Sequence, residues 1–397
     1  MNDRSLTSRA ALAGVRVLDL TRLIPGPMAT LVLADLGAQI DKLEDPAPGD
    51  YMRNMPPLRG ATGGCFHALN RDKRSVVVDL KSPAGVALLR RMIPHYDVVL
   101  EGFRPGVLAR LGCSHDDMLA LNPRLVVCAI TGYGQTGPLA HRAGHDLNYL
   151  ARAGVLGITG PADEPPAVSG AQMADVAGGA LWAVIAVLAA LRERDRTGRG
   201  SVCDIAMCEG AVPLGAFALG AITAGARVAP RGRNHLDGGI APYNTYRTSD
   251  GGYVSLGALE PKFWTNFAVA AGVDPSLDAL FAGEHQIALK ARLIEVFATR
   301  TRAEWEAFAR AHDCCLEPVL EASELAKDPQ HEARGVFFDL DDGAGAAIPV
   351  FRTPVGAGAA VAHTAAREPG ADTAAVLRDA GLTDDEVSAL MRDGVVR

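Results

Sequence analysis

The sequence predicts an α/β protein: a doubly wound parallel sheet in a large domain, joined to a smaller α+β domain. Over residues 15–130, short Val- and Ile-rich runs alternate with amphipathic stretches, and the runs are continuously apolar, as in strands covered on both faces. From Tyr243 onward, two strand-like pieces joined by Ser249-Asp250-Gly251-Gly252 give a hairpin signal, and helix-like segments follow.

Residues 15–20 (VRVLDL) read as a strand, followed by a Pro-Gly-Pro break, a helix-like stretch at 28–36 ended by Gly37, and a strand at 39–43. The unit recurs as strand 75–80 (SVVVDL), helix 84–95, strand 97–100, helix 107–121 and strand 125–130. This order is Rossmann-like. LTRLIPGP follows the first strand in place of G-x-G-x-x-G, so a nicotinamide or flavin dinucleotide lacks its phosphate loop. Residues 176–191 form the longest uncharged apolar run; its 16 residues fall short of the ~20 of a membrane span, and a buried helix is expected. SVCDIAM reads as a strand, 210–226 as a small-residue stretch and 229–242 as a Gly/Pro/Arg-rich connector. Helix-like 261–271, 286–298 and 301–311, strand-like 337–351 and closing helices at 373–380 and 384–391 complete the chain. The large domain is therefore expected at 1–215, completed by 335–397, the small domain at 230–330, and linkers at 216–229 and 331–334.

The chain has 397 residues, 48% hydrophobic and 21% charged, which fits a globular protein with a deep core and excludes a disordered chain. With 39 Lys+Arg against 46 Asp+Glu the net charge is −7, which argues against general nucleic-acid binding. The seven cysteines are scattered without metal-ligand spacing and read as reduced thiols. His141, His235 and His331 also lack ligand spacing, so no metal is expected. The first residues lack a secretory pattern; a cytoplasmic protein without a membrane partner is expected.

Three acids and a histidine could carry chemistry. His145 and Asp146 (AGHDLNYLA) follow a strand and a Gly-rich turn, near the carboxyl edge where open α/β sheets bind ligands. A histidine there suits a general base; the plain structural alternative is an N-cap aspartate beside a packing histidine. Asp175 opens the apolar helix, as an N-cap or as a desolvated acid, base or nucleophile. Glu260, before Pro261, fits either a helix N-terminus or a site acid. Arg71-Asp72-Lys73-Arg74, the pair Arg104 and Arg110, and Arg194-Asp195-Arg196 with Arg199 could each meet phosphates or simply face water.

These segments in this order resemble the superfamily that unites class III CoA-transferases with α-methylacyl-CoA racemases. The resemblance rests on LAGVRVLDLTRLIPGP, LNRDKRSVVVDLK, EGFRPGVLARLG, TGYGQTGP, AGHDLNYLARAG, ADVAGGALWAVIAVLAAL and RGRNHLDGGIAPYNTYRTSDGGYVSLGALEPKFW, and covers nearly the whole chain. The His-Asp pair is similar to the racemase form, as are the spacings of 30 residues from His145 to Asp175 and 85 from Asp175 to Glu260. LEDP followed by Pro48-Gly49-Asp50 and Arg53 looks more like the transferases. The resemblance implies 1,1-proton transfer at the α-carbon of a 2-methylacyl-CoA. His145, paired with Glu260, would serve one face, Asp175 the other, and the Asp146 backbone N–H would meet the thioester oxygen. It implies CoA, as part of the substrate and the sole cofactor, near Val78, Arg104, Arg110, Lys73 and Arg74. It also implies an interlocked homodimer with Glu260 supplied by the opposite chain. The alternative it carries is a CoA-transferase working through an aspartyl-CoA thioester at Asp175. A CoA-binding scaffold whose acids are all helix caps is the non-catalytic alternative.

Overall fold

The computed structural model describes residues 11–341 and 347–397. Its strands β1 (Arg16–Leu20), β2 (Gln39–Glu44), β3 (Lys73–Val77), β4 (Val98–Glu101), β5 (Val126–Thr131) and β6 (Ser201–Ala206) form one parallel sheet in the order β3, β2, β1, β4, β5, β6. Val17 of β1 pairs with Ile40 on one side and Val98 on the other. Chain order reverses between β1 and β4, which opens a crevice at their carboxyl ends. Burial follows the composition: Leu18, Val76, Val99 and Val127 are fully covered, in one cluster with Leu88, Leu89 and Met92 of helix Pro83–Met92. Val376, Leu377 and Val387 of the closing helices Thr373–Asp379 and Asp384–Arg392 join the same cluster.

Contacts gather into two compact units. The first holds the described residues up to Leu150, Ala171–Ala211 and Ala326–Arg397; the second holds Ala151–Gly170 and Val212–Leu325. The boundaries differ from those expected. Residues 151–170 cluster with the second unit, Ala216–Thr223 is a helix and Pro329–Ala333 a short helix where linkers were expected. The expected helix 107–121 is two helices, Val107–Leu111 and His115–Leu121. Gly112 ends the first in a left-handed conformation at φ 90°, and Ser114 starts the second with a capping box.

In the second unit β7 (Tyr243–Arg247), β8 (Tyr253–Gly257) and β9 (Leu316–Pro318) form an antiparallel sheet with β8 in the centre. It covers an aromatic core in which Phe297 lies 4.7 Å from Trp305 and 5.4 Å from Phe267. Both buried indoles find acceptors, Trp264 at Ser276 O and Trp305 at Phe297 O, each at 2.9 Å. In the first unit, Phe337–Asp341 and Ala347–Phe351 pair antiparallel.

The apolar helix is longer than its uncharged run. It starts with a π-wound stretch, Ala174–Ala180, and continues as Leu181–Thr197. The 24 residues are, by length and composition alone, enough to cross a membrane. They pack on β5 and β6 as a covering helix, and the buried Arg194 guanidinium meets Asp97 at 2.7 Å.

Candidate active site

The crevice at the β1/β4 reversal is a cavity of about 660 Å³ within the first unit. Thr21 and Arg22 enter it from the end of β1, Phe103 and Arg104 from the end of β4, and Thr131 and Gly132 from the end of β5. The loop to His145 and the helix Asp146–Arg152 close a further wall, through Arg142, His145, Asn148 and Tyr149, and Asp175 lines the cavity as well. His145 and Asp175, thirty residues apart in sequence, thus share one hollow.

The local structure explains why they meet. Asn148 Oδ1 accepts the His145 backbone N–H at 3.0 Å, which fixes the turn before the helix and leaves the His145 ring exposed. Tyr149, buried under the turn, donates its hydroxyl to Gly144 O. A side chain on Gly144 would meet the Tyr149 ring at 2.7 Å and one on Gly132 at 2.4 Å, so both glycines are needed for this close approach. Burial first, then the negative field of Asp175, pushes the Tyr149 phenol up to about 12, and it stays a donor.

Asp146 is the first residue of its helix and not the N-cap, so its own N–H has no intrahelical acceptor. Its carboxylate serves another helix: Oδ1 accepts the Asp175 backbone N–H at 2.9 Å. Nor is Asp175 an N-cap. Met173 holds that position, Asp175 sits in the first turn of the π-wound stretch, and such windings concentrate at functional sites. Gly178 lets this stretch approach helix Met207–Ala211; a Cβ there would lie 2.5 Å from Met207 O. Burial, with the Asp146 charge behind it, pushes the Asp175 carboxyl up to about 6. A carboxyl so placed is available in both protonation states near neutrality.

The expected CoA contacts divide. Val78 is fully buried and lines a second hollow of about 320 Å³, which shares Arg22, Phe103 and Val107 with the main cavity. Arg104 is exposed and lines the main cavity; Arg110 is exposed on helix Val107–Leu111 and lines neither hollow. Lys73 and Arg74 are corrected. Both belong to β3, which begins two residues earlier than the sequence suggests. Lys73 is buried with its ammonium 2.9 Å from Pro27 O and Asn70 Oδ1 and 3.6 Å from Asp19. Arg74 holds Asp41 in a fork at 2.7 and 2.9 Å. Lys73 is thus closed off from a phosphate, and the partly exposed Arg74 is committed to Asp41 and Asp379. The LEDP text is also internal structure: Arg53 grips Glu44 at 2.6 and 2.8 Å, and Lys42 meets Asp50 at 2.9 Å.

Glu260 belongs to the second unit, where it is the exposed N-cap of helix Pro261–Ala271 and makes no side-chain capping bond. Arg22, Arg142 and Asn148 were missed by sequence reasoning. Arg22 carried a usable signal, since it stands second after the strand that ends at the reversal point. The acids and histidine that could suit a metal, Asp35, Asp72 and His363, surround the Arg71 guanidinium, which lies 2.8 Å from each of the two aspartates.

A family model described as CoA-transferase family III matches residues 12–373. The chain belongs to CoA-transferase family III. This family III chain is 37% identical over 393 residues to the alpha-methylacyl-CoA racemase of Mus musculus, with 97% of each chain covered. It is 34% identical over 359 residues to a succinate–glutarate CoA-transferase of Agrobacterium fabrum, covering 87% of this chain and 88% of that one. A solved CaiB/BaiF family protein from Brucella suis superimposes with a TM-score of 0.81 at 29% identity, over 94% of this chain and all of the other. The relatives of this family III enzyme thus include both racemases and transferases.

Proposed function

We propose that the protein is a 2-methylacyl-CoA racemase working by 1,1-proton transfer. The observation that carries this is the shared cavity: an exposed imidazole, His145, and a carboxyl held near 6, Asp175, line one hollow at the sheet's reversal point. A transferase needs the carboxylate as nucleophile but has no step for the imidazole, whereas inversion needs two groups that exchange protons with opposite faces of the α-carbon.

In the proposed reaction neutral His145 removes the α-proton, electrons move onto the thioester oxygen, and protonated Asp175 returns a proton to the other face. The reverse direction exchanges the roles. The Asp146 N–H meets the enolate oxygen, where a fixed donor stabilises the charge as it develops. Glu260, supplied by a second copy in an interlocked homodimer, supports His145. The CoA moiety follows Arg104 and the hollow lined by Val78.

A CoA-transferase through an aspartyl-CoA thioester at Asp175 is the second reading, favoured by transferase relatives such as that of Agrobacterium fabrum. Incubating one enantiomer of a 2-methylacyl-CoA in deuterium oxide, without a carboxylate acceptor, separates the two. Uptake of α-deuterium with loss of optical purity supports the racemase. No exchange, followed by CoA transfer once free carboxylates are added, overturns it.

A further inference from the structure

We propose that His115 is a positioning residue for the CoA-bearing substrate, acting through Glu101 on the loop that carries Phe103 and Arg104. This rests on the acyl-CoA assignment above and is independent of the choice between racemase and transferase.

Glu101 is the last residue of β4, at the reversal point, and its side chain is only 3% exposed. A carboxylate this buried requires partners for both oxygens. One accepts the Phe103 backbone N–H at 2.7 Å; the other faces His115 Nε2 at 3.1 Å. Phe103 lines the main cavity and the hollow lined by Val78, and Arg104 lines the main cavity. Phe103 and Arg104 also border a third hollow of about 410 Å³, which Glu101 and His115 share. On its other side His115 is anchored as the first residue of helix His115–Leu121, whose start is fixed by the reciprocal Ser114 and Asp117 bonds. The His115–Glu101 contact therefore ties a rigid helix to a loop that forms the substrate wall.

The tie is sensitive to protonation. The hydrogen bond that His115 donates to Glu101 holds its imidazole above the ordinary value, burial opposes this, and the fields of Glu101, Asp116 and Asp204 add to it; Arg104 borders the same hollow. Protonated, His115 donates a charge-assisted bond and balances the buried carboxylate. Neutral, it leaves that carboxylate without a counter-charge, and the loop loosens.

The test is calorimetric titration of the full-length protein with free coenzyme A at about pH 6 and about pH 8.5, on either side of an imidazole titration. KM and kcat are measured alongside. The unmodified protein binds CoA more tightly at the lower pH. His115→Leu weakens binding roughly tenfold there, as for loss of a charge-assisted hydrogen bond, and flattens the pH dependence while kcat changes little. His115→Gln, whose amide donates to Glu101 without a charge, binds CoA at both pH values about as the unmodified protein does at about pH 8.5, and so loses the pH dependence. An unaltered pH slope in His115→Gln overturns the proposal even where His115→Leu fails to fold. So does a fall in kcat that tracks a lowered melting temperature with KM unchanged, which marks simple damage to the fold. No binding of CoA by the unmodified protein at either pH would instead overturn the acyl-CoA assignment, and the proposal with it.

Discussion

Asp146 Oδ1 accepts the backbone N–H of Asp175 at 2.9 Å, so the carboxylate that braces the Asp175 turn also lays a negative charge beside the Asp175 carboxyl. One residue thus fixes the position and raises the proton affinity of the other. Asp146→Asn keeps an acceptor at Oδ1 and removes the charge. The Asp175 carboxyl then moves down from about 6, because like charge disfavours the ionised form. The expected outcome is an acid-side inflection in the kcat profile shifted to lower pH, with an unchanged circular dichroism spectrum.

Asp175→Asn separates activity from stability. Loss of a positioned acid–base group costs about 10²–10⁴-fold in kcat. Stability moves the opposite way. Burial pushes the folded carboxyl up to about 6 from the ordinary 3.8, so the folded state binds the proton more tightly than the unfolded one. Stability therefore falls as pH rises through that window, and the deficit persists above it. Asn carries no such cost, so Asp175→Asn melts at a higher temperature than the unmodified protein above pH 6 and at a similar one near pH 4. A parallel loss of both activity and melting temperature would contradict the desolvated placement.

His145→Ala tests the proton-transfer assignment directly. The ring is exposed and its backbone N–H, not its side chain, makes the Asn148 bond, so the substitution leaves the fold intact. Deuterium exchange at the α-carbon is expected to drop by about two orders of magnitude or more. Unchanged CoA transfer to a free carboxylate in the same variant would identify Asp175 as a nucleophile.

The fold was legible in the sequence because strands buried on both faces cannot avoid continuous Val and Ile, as in SVVVDL and LVVCAI. His145, Asp146 and Asp175 were singled out, but whether they act or cap could not be read from spacing. That distinction lies in a hydrogen bond across 29 residues, from Asp175 to Asp146, and in burial that only the packed chain has. The break at Gly112 was hidden because Val107–Leu111 and His115–Leu121 keep one apolar side facing the same core. In sequence, Arg71, Lys73 and Arg74 read equally as a phosphate-binding cluster or as charges facing water. Apart from the neighbouring Asp72 beside Arg71, their partners Asp35, Asp19 and Asp41 lie at least 33 residues away in β1, in β2 and at the end of the helix between them, so most of the charge neutralisation inside the sheet layer left no local trace.

Lys73 makes that correction measurable. Burial drives its ammonium down to about 7, with Asp19 pulling the other way. Between that value and the ordinary 10.5 the unfolded chain holds the Lys73 proton more firmly than the folded one, so this residue makes stability rise with pH across the interval. Lys73→Met, which keeps the aliphatic stem and removes the titrating group, is expected to flatten the rise in melting temperature between about pH 7 and pH 9. Affinity for coenzyme A is expected to stay the same at low and high salt, because the ammonium already binds Pro27 O and Asn70 Oδ1 inside the first unit. A phosphate contact at Lys73 would instead weaken CoA binding in the variant most at low ionic strength, where exposed charges are least screened.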